Sequence, residues 1–209
     1  MNDITSKLFL YIVIILSAVV HEYSHAFMAN ELGDDTAKRL GRLTLNPLKH
    51  VDIVGTVIVP LFLLFTSGTF IGWAKPVPYD PSKLKGSKDE LKVALAGPGS
   101  NMAMALILAT FYFVASILAG NSANISLLAP FVAQIIYINI SLALFNLIPV
   151  PPLDGSKIIG VILPIEWLRR LERLGVVGFI LALWIGMMVV PYVAGIVFYV
   201  MTGFGYLFI

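Results

Sequence analysis

The chain has 209 residues, of which 58% are hydrophobic and only 12% charged, against about 25% charged in an ordinary soluble domain. That composition excludes a soluble globular enzyme and reads as a membrane protein, with no room for a second soluble domain of typical size. The formal net charge of +2 gives no ground for a nucleic-acid partner. With no cysteine there is neither a disulfide framework nor a thiolate metal site, so a metal would be held by His and carboxylate.

The first predicted helix spans residues 7 to 32 and, at about 39 Å by helix rise, is long enough to cross a bilayer with some tilt. Its apolar run continues into His21-Glu22-Tyr23-Ser24-His25 instead of stopping at a small-residue cleavage site, so it reads as a retained span. Gly33-Asp34-Asp35 ends it, and residues 34 to 52 form a basic loop holding Lys38, Arg39, Arg42 and Lys49, with Asn46-Pro47 as a turn signal. Residues 53 to 71 are apolar again but interrupted by Gly55, Pro60 and Gly68, which fits either a kinked span or a re-entrant hairpin. In the segment 73 to 92, prolines at 76 and 78 forbid a helix and suit an extended edge strand. A second long helix covers 91 to 120 and contains Gly97-Pro98-Gly99-Ser100-Asn101; a third covers 124 to 148 with Gln134, Asn139 and Asn146 as polar exceptions. Pro149-Val150-Pro151-Pro152 stops that helix, and Leu153-Asp154-Gly155 opens a short amphipathic piece to about residue 163. After Arg169, Arg170 and Arg173 come two further spans, 174 to 190 and 192 to 209. The predicted fold is an all-α polytopic membrane protein: one membrane-embedded domain over 1–209, with about five transmembrane helices, a re-entrant hairpin and a short extended segment.

Charge placement favours the hairpin. If residues 53 to 71 dip in and return, the loops 33 to 52, 73 to 92 and 155 to 173 share one side, which then holds 13 of the 14 Lys and Arg, all but Lys7. By the positive-inside rule that side is the cytoplasm. A crossing would move five lysines away from the first loop. The expected location is therefore the cell membrane, multi-pass, with the histidine motif roughly 10 to 17 Å below the cytoplasmic end of its helix.

Positions i and i+4 of a helix share a face, so His21 and His25 can reach one ion with Glu22 close beside it. Two neutral nitrogen ligands and a carboxylate able to take a proton from water form the working group of a zinc hydrolase. The bland alternative, a polar pair buried against other helices, would leave Glu22 needing its own partner inside the bilayer. A third ligand comes from His50, Glu31 or Asp154. His50, beside Lys49 and Asp52, reads as a solvated loop histidine, and Glu31 as a solvated helix-end charge. Asp154 reads equally as a ligand or as the N-cap of the short helix that follows it.

Three stretches carry a resemblance that runs over most of the chain: the His-Glu-x-x-His motif at 21 to 25, Ala96-Gly97-Pro98-Gly99-Ser100-Asn101, and Asn146-Leu147-Ile148-Pro149-Val150-Pro151-Pro152-Leu153-Asp154-Gly155. On these the chain resembles the site-2 protease family of intramembrane zinc metalloproteases. The resemblance implies that Asp154 joins His21 and His25 on one zinc ion per chain, and that Glu22 is the general base. It further implies that Asn146 helps bind substrate or steady the transition state, and that residues 76 to 79 offer an edge strand to a membrane-spanning protein substrate. Asn46-Pro47-Leu48-Lys49-His50-Val51-Asp52 with Gly55-Thr56 looks like a stretch of small bacterial members, without an assigned role. No peptide-binding domain interrupts the middle and no regulatory domain pair follows the last span, so the expectation is a minimal catalytic core. The rival classes are a metal-ion carrier using the same His, Glu and Asp groups, and a structural subunit with a vestigial site. Small residues in the later spans permit helix association without requiring it, so the oligomeric state is left open.

Overall fold

In a bilayer every backbone polar group must find its partner within the protein, which drives apolar runs of this length into helices. The computed structural model describes residues 4–66, 72–86, 88–119, 123–160, 166, 173 and 175–203, and among these there is no strand. Among the described residues four helices are long and apolar enough to cross a membrane, with candidate spans Ile4–Glu31, Asp89–Leu118, Leu127–Asn146 and Val177–Thr202. The α-helices whose bounds lie among the described residues are, in chain order, α1 (Ile4–Glu31), α2 (Thr36–Arg39), α3 (Val59–Thr66), α4 (Asp89–Ala119), α5 (Ala123–Asn146), α6 (Asp154–Gly160) and α7 (Gly175–Thr202).

The chain divides into two compact units, Met1–Gly97 and Pro98–Ile209. In the first, Gly33 leaves α1 with φ 111°, a conformation that suits glycine, and the Asp34 amide returns to the Ala29 carbonyl at 2.9 Å. Asp34, fully buried, accepts from the Thr36 amide at 3.0 Å, the Thr36 hydroxyl at 2.5 Å and the Asp80 amide at 2.6 Å. Two stretches far apart in sequence are thereby tied together.

The stretch from Asn46 to Thr56 acts as a cradle. The Asn46 side chain accepts from the Leu48 amide at 3.1 Å, and Asp52 accepts from the Gly55 amide at 2.7 Å, opening a π-helical turn over Ile53–Ile58 that runs into α3. The Thr56 hydroxyl donates to the Trp73 carbonyl at 2.9 Å, and the Trp73 amide donates to the Gly55 carbonyl at 3.0 Å. The chain that leaves at 55 is therefore back beside itself at 73, with the indole against a backbone that no side chain at 55 would let it approach. Residues 67–71 lie outside the described residues. Residues 72–80 form no regular element, because Pro76 and Pro78 remove the amides on which a ladder would depend.

In the second unit, Ala105 and Ala109 of α4, Ala133, Ile136 and Ile140 of α5, and Ala194 and Phe198 of α7 form one buried cluster. Alanines on three helices let the backbones approach, and Phe198 fills the remaining space. Asn101 and Asn139 are both fully buried and paired, the Asn101 amide donating to the Asn139 side-chain oxygen at 2.9 Å. Where two final spans are expected at 174 to 190 and 192 to 209, residues 175–202 form a single helix, α7, running through Pro191, and residues 204–209 lie outside the described residues. A break there would expose several backbone groups to lipid, whereas an intact helix loses one bond, and the Tyr137 hydroxyl donates to the Pro191 carbonyl at 3.3 Å.

Candidate metal centre

His21 and His25 face each other across one turn of α1, ring centroids 4.7 Å apart and planes at 82°. The Nδ1 of His25 lies 2.7 Å from the Val93 carbonyl, an acceptor, so Nδ1 carries the proton and Nε2 keeps its lone pair. That Nε2 lies 3.0 Å from Nε2 of His21. Two nitrogens at about 2.0–2.1 Å from one tetrahedral ion would be roughly 3.3 Å apart, so the pair is close to the spacing that zinc requires. The space is kept open by Gly97: a Cβ there would stand 2.5 Å from His21 Nε2 and closer still to His25 Nε2. The donor chemistry, the fixed tautomer and the missing side chain all fit a divalent metal, and the anchoring of Nδ1 on a carbonyl is the outer-shell bond that metal-binding imidazoles ordinarily have.

Glu22, on the same turn, accepts a hydrogen bond at Oε2 from the Val77 amide at 2.7 Å. Among the described residues its Oε1 has no partner. One oxygen is held and the other is available to carry a proton.

Of the remaining candidates, Asp154 and Asn146 both belong to the second unit. Asp154 is the first residue of α6 and is 8% exposed. A Cβ at Gly155 would lie 2.5 Å from the Ile148 carbonyl, so glycine is what lets the start of α6 fold back against the turn after α5. Asn146 is the last residue of α5, its side-chain amide donating to the Leu142 carbonyl at 3.0 Å. Glu31 is exposed, as expected. His50 is not the solvated loop residue expected: it is 1% exposed, with Nε2 at 2.8 Å from the Thr44 carbonyl and its own carbonyl accepting from the Lys75 amide at 2.9 Å. Folding of the 73–75 strip onto the cradle is what buries it. Sequence reasoning read Gly97 as a small residue that permits close helix packing and gave no role to the Val93 carbonyl or the Val77 amide. Gly97-Pro98-Gly99 was a visible anomaly in an apolar helix; the two backbone groups leave no trace in residue identity.

Residues 113–190 match the sequence model of Peptidase family M50. A protein of Bacillus subtilis (strain 168) named "Putative zinc metalloprotease YwhC" is 37% identical over 181 residues, covering 84% of this chain and 78% of that protein. The chain belongs to peptidase family M50. Proteins named "Putative zinc metalloprotease Rip2" are similar at lower identity: that of Mycolicibacterium smegmatis (strain ATCC 700084 / mc(2)155) at 28% over 145 residues, that of Mycobacterium tuberculosis (strain ATCC 25618 / H37Rv) at 29% over 143. The chain spans 52% of the length of either Rip2 protein and 68% of its own. No solved structure matches it. Membership of M50, with four helices among the described residues able to span a bilayer, makes this a multi-pass intramembrane metalloprotease acting on protein, and nothing in the comparisons supports the carrier class.

Proposed function

We propose that this M50 protease cuts peptide bonds in or near the transmembrane segments of membrane-spanning proteins, with one zinc ion held by His21, His25 and Asp154. The observation that carries this reading is the pair of facing imidazole nitrogens 3.0 Å apart over a glycine that clears the space beside them. Asp154 enters through the Asn146 to Gly155 stretch, which brings a carboxylate to the start of a short helix after a proline run. When bound, zinc supplies a Lewis acid that polarises the scissile carbonyl and acidifies water. Glu22, steadied at Oε2 by the Val77 amide, takes the proton of the attacking water and returns it to the leaving amine. Asn146 releases the Leu142 carbonyl, to which its side-chain amide donates at 3.0 Å, and turns that donor to the developing oxyanion; the rearrangement offsets part of what a donor already aimed there would contribute.

The membrane reading assigns residues 53–71 to a re-entrant hairpin, supported by the Trp73–Gly55 bond that joins its two ends. It follows that the basic loops share the cytoplasmic side and that the histidine pair lies towards that side. The test is Glu22→Gln in the full chain. The expected result is stoichiometric zinc, as in the wild type, with cleavage of a single-span reporter reduced about 1,000-fold or more, on the scale of a lost general base. Full cleavage with zinc retained would remove Glu22 from the chemistry.

A further inference from the structure

The strip leading to Glu22 is held by a residue that the reaction does not otherwise use. Pro76 and Pro78 carry no N–H, so the Val77 amide is the sole backbone donor between them, and it is committed to Glu22 Oε2. A bond of that kind orients the carboxylate only if the strip itself is fixed. Two groups fix it from upstream: the Lys75 amide donates to the His50 carbonyl at 2.9 Å, and Arg42 Nη2 donates to the Lys75 carbonyl at 2.9 Å and the Pro76 carbonyl at 3.3 Å. Downstream, Val77 packs in a small buried cluster with Ala26, the residue after His25, and Ala37.

Arg42 is costly where it sits. It is 9% exposed, no carboxylate among the described residues pairs with it, and its Nε has no hydrogen-bond partner. Burying a guanidinium without a counter-charge is unfavourable, so a fold needing only a capped loop would be better served by a neutral donor. What the charge does provide is strong bonds to two successive carbonyls immediately before Val77.

We infer that Arg42 is a positioning residue for peptide hydrolysis: by clamping the Lys75 and Pro76 carbonyls it keeps the Val77 amide on Glu22 and so aims the free carboxylate oxygen at the attacking water. This rests on the reading of Glu22 as the proton carrier. It also means that between residues 75 and 78 every backbone donor is already engaged, so this stretch braces the base and does not pair with substrate through its amides.

The test uses the full chain in lipid, with a single-span reporter protein cut by the wild type and assayed in parallel with Glu22→Gln. Arg42→Ala should lower kcat about tenfold or more, the scale expected when a reacting group is misplaced by a fraction of an ångström to an ångström. KM should stay within about twofold and zinc content should match the wild type. Arg42→Lys, which keeps the charge and one reach of the donor, should recover part of kcat. Val77→Pro, which deletes the amide and leaves Arg42 in place, should reproduce the kcat deficit. The double variant should be no worse than Val77→Pro alone, because both changes break one linkage. If Arg42→Ala loses its zinc, the Arg42→Lys and Val77→Pro pair carries the test by the same criteria. Unchanged kcat, a raised KM with kcat preserved, or losses that multiply in the double variant would each overturn the inference. Equal processing by wild type and Glu22→Gln would instead overturn the reading of Glu22.

Discussion

Gly97 acts through the side chain it lacks. Alanine is the better helix former by about 1 kcal/mol, so Gly97→Ala should leave α4 helical or strengthen it. Its Cβ would nevertheless stand 2.5 Å from His21 Nε2, in the space where two ring nitrogens meet. The expected outcome is a chain with wild-type helix content by circular dichroism and zinc affinity lowered about tenfold or more, since changes that only perturb the outer shell already cost about 10- to 100-fold. Unchanged zinc affinity in this variant would show that the metal is held elsewhere. The His-Glu-x-x-His spacing was legible in the sequence because helix periodicity alone puts residues 21 and 25 on one face. The tautomer of His25 was not, because it depends on the Val93 carbonyl, 68 residues away and contributed by a backbone that any residue would supply.

At the scale of elements, the first unit depends on a buried carboxylate that joins the end of α1 to the strip after Tyr79. Burial alone would raise the Asp34 carboxyl, but hydrogen bonds from the Thr36 hydroxyl and from the Asp80 and Thr36 amides, with the Lys83 ammonium at 3.7 Å, outweigh it and hold the group below the ordinary carboxylate range. Asp80, on the other side of this latch, is also lowered, chiefly by the Ser82 hydroxyl. A carboxyl lowered in the folded state contributes stability that is complete above its unfolded value of about 3.9 and disappears as pH falls through the lower folded value. Amide exchange of residues 34–40 and 78–84 should therefore be flat from neutral pH down to about pH 4 and accelerate below it, beyond the intrinsic pH dependence of exchange. Asp34→Asn should raise the neutral-pH exchange by the equivalent of about 1–3 kcal/mol, since buried donors lose a charged acceptor, and should flatten the acid limb. An unchanged acid limb in that variant would assign the transition to Asp80 or another group. Elements of this kind were only half readable. Proline and glycine placement marked the irregular strip and the cradle, but the burial of His50 goes with a bond from the distant Lys75 amide, and the continuity of α7 through Pro191 reflects the cost of exposing backbone groups to lipid, neither of which local composition reveals.

The whole molecule poses a question of sidedness, and its composition makes the experiment clean: with no cysteine in the chain, every introduced thiol is the only one. Under the hairpin reading, Asp35, Ser82 and Glu166, all exposed, lie on the cytoplasmic side, while Ile4 and Leu118 lie on the outer side at the far ends of α1 and α4. None of the five is a lysine or arginine, so replacing them leaves the basic residues that orient the chain in place. In intact cells a membrane-impermeant maleimide should label Ile4→Cys and Leu118→Cys, and should label Asp35→Cys, Ser82→Cys and Glu166→Cys only after permeabilisation. The decisive comparison is Asp35 against Ser82, which bracket residues 53–71. If that segment crosses, the two thiols must differ in accessibility; if it returns, they must agree. The Trp73 amide on the Gly55 carbonyl and the Asp80 amide on Asp34 both bring the flanks of the segment together, and neither bond is compatible with flanks on opposite sides of a hydrocarbon layer about 30 Å thick. Opposite labelling of Asp35→Cys and Ser82→Cys would accordingly break both contacts and, with them, the strip that brings the Val77 amide to Glu22.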